Sequence, residues 1–300
     1  MIKLPNVVKL KTNVFPDEKV PTNLIDIKCD HLWKRGCFGS GVVVAVIDSG
    51  CDVEHEDLAQ NIVGGKNFVE GESTEDLSDN TGHGTHVTGI IAANNNKNGI
   101  VGIAPNVSIL VLKTFNEKGA TSIDILADAI KYAVNWRGPE GEKVNIINFS
   151  LGTSEKSNRI KHLIRMATSQ GIISVGASGN QGDGDPSTKE ITFPAYFTDV
   201  IQVGALNENS TPAYYSNTNE QVDFLAPGTN ILSTSPGNQY SRLTGTSMAT
   251  PHVTGAIALL YNKFGSKDIL SYIQQKRVNG LVREKHLNLN RLYSKFSTNQ

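Results

Sequence analysis

Cysteine is scarce: Cys29, Cys37 and Cys51 are the only three in 300 residues. An odd number crowded near one end gives no disulfide framework, and the wide spacings offer no fourth ligand for zinc. Free thiols in a reducing compartment follow, so the expected location is cytoplasmic. Charge of one sign is also missing, with a formal net charge of −1. That balance gives no footprint for nucleic acid or for a charged membrane surface. No uninterrupted apolar run is long enough to span a bilayer. The first residues, Met1-Ile-Lys-Leu-Pro-Asn-Val-Val-Lys-Leu-Lys-Thr, scatter lysines among apolar side chains and lack the h-region and cleavage site of a secretory signal.

What is present is the composition of a globular chain, 38% hydrophobic and 19% charged. Short continuous apolar runs recur: 41–47, 107–112, 144–149, 172–177 and 200–205. Runs of this kind mark strands buried on both faces. Helical patterns separate them, from Thr85 to about Asn94, Ser122 to about Trp136 and Lys156 to about Gln170. A further helical stretch lies near Lys267 to Gln275. The alternation predicts an α/β fold, three αβα layers around a mostly parallel central sheet. Residues 1–19 read as an extended N-terminal arm, 20–280 as one domain and 281–300 as a polar tail. In such sheets, sites collect beyond the carboxyl ends of the strands. There the chain places Asp48-Ser-Gly50, Ser150-Leu-Gly152 and Ser178-Gly-Asn180.

One stretch near the C-terminal third, Leu243 to Gly255, sets a serine among small residues at the start of a helix-like run. Free N–H groups at a helix start can receive a developing negative charge. Pro251 is expected to cost little so early in the helix. Amide hydrolysis by serine also needs a base, an acid that holds the base in one tautomer, and donors for the oxyanion. Asp48 at a strand end, His83 between glycines that would let a substrate approach, Ser247 and the Asn180 amide fill these roles. His86, three residues past His83, reads as a structural histidine. Cys51 lies close enough to Asp48 to be a target for thiol reagents, or is a small buried hydrophobe.

Asp48-Ser-Gly50, His83-Gly-Thr-His86-Val and Gly245-Thr-Ser247-Met-Ala-Thr-Pro251 resemble the three signature blocks of subtilisin-family serine proteases, in the same order and with Ser178-Gly-Asn180 between them. The resemblance runs from about Val20 to Tyr261. It implies a subtilisin-like fold and a serine endopeptidase with Asp48 as orienting acid, His83 as general base then acid, Ser247 as nucleophile and Asn180 as oxyanion donor. Peptide substrate would add as a strand between the segments at Gly119 and at Ser150, Leu151 and Gly152. Ala177, Ser178 and Gly179 would wall the S1 pocket near Gln181, with Thr192 at its base. The absence of an acid at Gln181 or Thr192 points away from basic P1 residues, towards small or uncharged polar ones. Phe193-Pro194 resembles the family's cis peptide.

The likeness also implies structural calcium, held by Asp57 and Asn96 through side chains, by Asn94, Asn98 and Ile100 through carbonyls, and by Glu18 near the mature N-terminus. Intracellular subtilisins and cytoplasmic leader peptidases of lanthipeptide (lantibiotic) biosynthesis are the nearest resemblances. The intracellular group carries an inhibitory arm with an Ile/Leu-Pro-aromatic motif. This chain reads Ile2-Lys-Leu-Pro5-Asn6, with Asn6 where the aromatic belongs. The expected partners are a peptide or protein substrate and a second copy of the chain, with no nucleic acid and no membrane.

Overall fold

The computed structural model describes residues 2–4, 10–12, 20–278 and 286–297. The arm holds strands β1 (Ile2–Lys3) and β2 (Leu10–Thr12); helices α1 (Thr22–Asp26) and α2 (Cys29–Trp33) follow. Then come β3 (Val43–Asp48), β4 (Ile62–Asn67), α3 (His83–Ala92), β5 (Ser108–Lys113), β6 (Ala120–Thr121) and α4 (Ile123–Asn135). The middle of the chain forms β7 (Ile146–Phe149), α5 (Asn158–Ser169), β8 (Ile173–Ala177) and β9 (Val200–Leu206). It closes with β10 (Val222–Pro227), β11 (Ile231–Ser235), β12 (Gln239–Leu243), α6 (Thr246–Val278) and α7 (Leu289–Ser297).

The centre is a parallel seven-stranded sheet in the order β10-β9-β8-β7-β3-β5-β4. Every residue of β3 is buried. Side chains alternate across a sheet, so Val44 and Val46 join one apolar core while Val43, Ala45 and Ile47 join the other. α3 and α6 supply the first core, α4 and α5 the second. The predicted three-layer α/β fold is therefore the observed one. α4 and α5 each begin at a serine whose hydroxyl accepts an orphan N–H: Ser122 from Ile125 at 3.2 Å, Ser157 from Ile160 at 3.3 Å. Each cap is worth about 1 kcal/mol.

Three regions differ from the sequence reading. β4 and β10 carry few marks of a buried strand: β4 holds Gly64 and Gly65, and β10 ends in proline, as suits the two edges of the sheet. The stretch read as a polar tail contains α7, whose Leu289, Leu292 and Phe296 recur on one face and are buried with Leu287 in the first core. Pro251 is the sixth residue of α6, beyond the N–H groups that lack partners, so its missing N–H leaves a carbonyl free. α6 breaks at Gly265, where φ is 69°. The expected helical stretch near 267–275 is the portion beyond that break.

Candidate active site

Asp48 ends β3, and His83 is the first residue of α3. Their Oδ1 and Nδ1 atoms lie 2.7 Å apart, with Asp48 fully buried and His83 only 2% exposed. Burial alone would push the imidazole down. The charge of Asp48, its hydrogen bond to the ring and the charge of Asp79 outweigh that and hold His83 above its ordinary value. The glycines around His83 have a packing role. Gly82 takes the left-handed conformation at the helix N-cap, and a Cβ on Gly84 would collide with the Gly50 carbonyl and Asp48. Only a bare α-carbon lets α3 come so close to the end of β3.

Ser247 is the second residue of α6 and is fully buried. Pro251 cannot donate to the carbonyl four residues back, which is that of Ser247, and this carbonyl instead accepts the Ser150 hydroxyl at 2.9 Å. In return the Ser247 hydroxyl donates to the Ser150 carbonyl at 2.9 Å. His83 Nε2, also buried, has no hydrogen-bond partner. Asp48 and His83 are thus paired with each other, and the Ser247 hydroxyl is paired with Ser150. Ser150 is therefore engaged with Ser247 and does not line the cleft through its side chain.

Asn180 follows β8. Its Oδ1 accepts both the Thr246 N–H at 2.9 Å and the Thr246 hydroxyl at 2.8 Å, which fixes which end of the amide is which. The other end, Nδ2, is a buried donor with no partner. A buried orphan donor is costly unless an acceptor arrives in the course of function. Thr246, which sequence reasoning missed, is what aims it; the only signal was its place next to Ser247.

A cleft of about 510 Å³ joins Asn180 and Ser247, lined among others by Leu151, Gly152, Ala177, Gly179 and Thr192. The Thr192 methyl fills the space where Gly152 has no side chain. The Thr192 hydroxyl accepts from Asn217 Nδ2 at 3.0 Å, and Asn217 Oδ1 accepts the Gln181 N–H at 2.7 Å. Asn217 gave no sign in the sequence, since it stands in a polar loop among other small residues. Ser178 is turned away, its hydroxyl donating to the Asn217 backbone carbonyl at 3.3 Å. Phe193–Pro194 is cis. Gly119 sits beside β6, and the arm reaches it: β1 pairs antiparallel with β6, and the Leu4 N–H donates to the Gly119 carbonyl at 2.9 Å. Ile2, Lys3 and Leu4 line the same cleft as Ser247.

His86 is buried and binds the carbonyls of Ile231 and Ser241 at 3.0 and 3.2 Å, tying α3 to β11 and β12 as a structural histidine. Cys51 is fully buried, and burial pushes its thiol well up, which fits a small buried hydrophobe. The 94–100 loop does converge on Asp57. The carboxylate accepts from Asn96 Nδ2 at 3.0 Å, the Ile100 N–H at 3.0 Å and the Tyr240 hydroxyl at 2.9 Å. Asn94 donates its N–H to the Asp57 carbonyl, and Asn98 turns its amide to Glu56. Glu18 lies outside the described residues. Among the described residues no three His, Cys, Asp or Glu side chains group as metal ligands, and no helix is long and apolar enough to cross a membrane.

A profile of the Subtilase family, peptidase S8, matches residues 39–292. The chain is 42% identical over 245 residues to the major intracellular serine protease of Bacillus subtilis (strain 168), covering 81% of this chain and 75% of that protein. It is 42% identical over 244 residues to the intracellular serine protease of Paenibacillus polymyxa, covering 81% and 73%. To subtilisin DY of Bacillus licheniformis it is 39% identical over 247 residues, covering 82% and 86%. A sheet whose carboxyl edge gathers an acid–base pair, a serine at a helix start and an orphan amide donor, in a chain so matched, belongs to the subtilase family of serine endopeptidases.

Proposed function

We propose that this endopeptidase cuts peptide bonds with Ser247 as nucleophile, His83 as general base and then acid, Asp48 as the group that fixes the His83 tautomer, and Asn180 Nδ2 as oxyanion donor. The observation that carries the assignment is the pair of buried, unpartnered atoms His83 Nε2 and Asn180 Nδ2, next to the carboxyl ends of β3 and β8, which flank β7, the strand followed by Ser150 and its partner Ser247. Rotation of the Ser247 hydroxyl from the Ser150 carbonyl to His83 Nε2 hands its proton to the base as Oγ attacks the scissile carbonyl. The carbonyl oxygen gains negative charge, which Asn180 Nδ2 and the N–H groups at the start of α6 receive. His83 then gives the proton to the leaving amine, and water releases the acyl group by the same route in reverse. Fluorophosphonate labelling tests the assignment: wild-type protein should be labelled at Ser247, Ser247→Ala should not, and labelling that survives the substitution would defeat it.

Substrate binds as an added strand along β6 and the segment at Gly152. The arm's β1 takes that same edge, and we read it as a built-in inhibitor that must leave before a peptide enters. Asn6, where the family's aromatic belongs, lies outside the described residues, so the support for inhibition comes from Ile2 to Leu4. Thr192, with Gly152 and Asn217, shortens the S1 pocket and gives it a polar floor, which favours small or uncharged polar P1 side chains. The two intracellular proteases among the relatives support protein turnover inside the cell; the dedicated lanthipeptide leader peptidase draws no support from them.

Calcium belongs to this proposal as a structural ion. Asp57 would supply one carboxylate, Asn96 its amide oxygen once turned from its present bond to Asp57, and Asn94, Asn98 and Ile100 backbone carbonyls. When bound, the ion would tie that loop to Asp57; it takes no part in bond breaking.

A further inference from the structure

The N-cap of α3, Gly82, has no side chain, yet the first turn of this helix carries His83 and needs acceptors for its free N–H groups. Three side chains supply them. The His83 N–H donates to Thr81 Oγ1 at 3.1 Å, the Gly84 N–H to Ser49 Oγ at 3.0 Å and the Thr85 N–H to Asp79 Oδ2 at 2.8 Å. Both hydroxyls are themselves held by Asp79: Ser49 Oγ donates to Oδ1 at 2.8 Å, and Thr81 Oγ1 lies 3.1 Å from the same oxygen. Gly82 N–H adds a bond to Oδ1 at 2.8 Å, and the Thr85 hydroxyl one to Oδ2 at 2.7 Å. Ser49 also donates its N–H to Asp48 Oδ1 at 2.8 Å, the oxygen that faces His83. One buried carboxylate therefore anchors both sides of the acid–base pair.

We propose that Asp79 is a positioning residue for proteolysis: through Ser49, Thr81 and Thr85 it holds His83 against Asp48. The proposal rests on His83 being the general base. A carboxylate is well placed at a helix N-terminus, where the backbone dipoles favour negative charge. Among the described residues no lysine pairs with it: the buried Lys113, which pairs in register with Asp48, is engaged with Glu72 at 2.9 Å and Asp76 at 3.9 Å. Among the described residues the charges that act on His83 are Asp48 from the end of β3 and Asp79 from the preceding loop; burial pushes the nearby Cys51 thiol well up, which favours its neutral form. The charge of Asp79 acts on His83 in the same sense as that of Asp48, favouring the imidazolium.

The test compares kcat/KM against pH for wild type, Asp79→Asn and Asp79→Glu on one peptide, with melting curves and fluorophosphonate labelling alongside. The acid limb reports the base in the free enzyme. Removing a negative charge near an imidazole lowers its pKa, so in Asp79→Asn the limb should move to lower pH by about half a unit or more. kcat should fall by about ten- to a hundredfold as the base drifts, with KM within about twofold. Asp79→Glu keeps the charge and changes the reach, so its limb should stay while kcat falls. Ser233→Ala, which removes a bond from β11 to the His86 carbonyl, loosens the same helix without changing charge and should leave the limb in place. An unmoved limb in folded Asp79→Asn overturns the proposal even if the rate drops, because a plain structural cap would behave that way. If Asp79→Asn does not fold, Asp79→Glu decides: wild-type kcat there overturns it. Wild-type protein that resists the fluorophosphonate would instead sink the reading of His83 as base, and the proposal with it.

Discussion

The two sides of the cleft are built to different standards. On one, Asp48, His83, Asp79 and Ser49 form a connected set of hydrogen bonds at the buried junction of β3 and α3, with only His83 Nε2 and Asp48 Oδ2 of these side chains left unpartnered. On the other, β1 meets β6 over two residue pairs, a contact that water and another peptide can replace. A buried polar network is costly to leave half-made and so persists in one arrangement. A short edge pairing is held by the burial of Ile2, which is 2% exposed, the packing of Leu4 and the Leu4 bond to Gly119. Buried hydrogen bonds link Asp48 and His83 to their surroundings many times over, whereas the arm meets β6 in a short pairing.

The largest effect should come from breaking the densely bonded side. Asn180→Ala removes the orphan donor and should lower kcat by about 10²–10³ with little change in KM, the scale established for loss of the corresponding donor in subtilisin, a family relative. Steady-state kinetics on a peptide ester or anilide would check it, and a KM effect without a kcat effect would move Asn180 out of the oxyanion role. The exchangeable side responds in the opposite direction. Ile2→Asp places a charge in an apolar site worth about 1.5–3 kcal/mol, so the arm should release and the initial rate should rise by about tenfold or more. A progress curve without that gain would remove the arm as inhibitor.

Thr192→Gly sharpens the contrast at the pocket. Loss of the methyl beside Gly152 deepens S1, and kcat/KM for P1 Phe over P1 Ala should rise by about tenfold or more, as expected for a few methylenes of room. Unchanged preference in a peptide-library profile would mean that Thr192 does not set the floor. The smallest effect lies farthest from the cleft. Chelation with EGTA should lower the melting temperature by a few degrees if calcium ties the 94–100 loop to Asp57, since ligand binding to the folded state stabilises it by mass action. Asp57→Asn should abolish the difference, and identical melting with and without calcium would exclude the ion.

Much of the fold can be read from single positions. Runs such as Val43 to Ile47 mark buried parallel strands because both faces of each strand must be apolar. α7 escapes notice because its average composition is polar; its Leu289, Leu292 and Phe296 matter only through their spacing. β4 and β10 are hidden by glycine and proline, which the edges of a sheet tolerate. Asp48, His83, Ser247 and Asn180 are visible because each residue type carries its own chemistry and each follows a strand or opens a helix. Ser178 reads as a wall of the pocket yet faces away from it, since nothing local tells which way a side chain turns after a strand.

By itself the sequence determined the alternating elements, the residues able to attack, accept and donate, and the small side chains that let them approach. Tertiary structure alone decided the strand order β10-β9-β8-β7-β3-β5-β4, the turn of the Ser247 hydroxyl to Ser150, the convergence of Asp79 on α3 and the seat of the arm on β6. The reason is physical. Chemistry and local propensity belong to a residue and its near neighbours. Which distant groups meet depends on how the whole chain buries its apolar surface and satisfies each polar atom that burial cuts off from water.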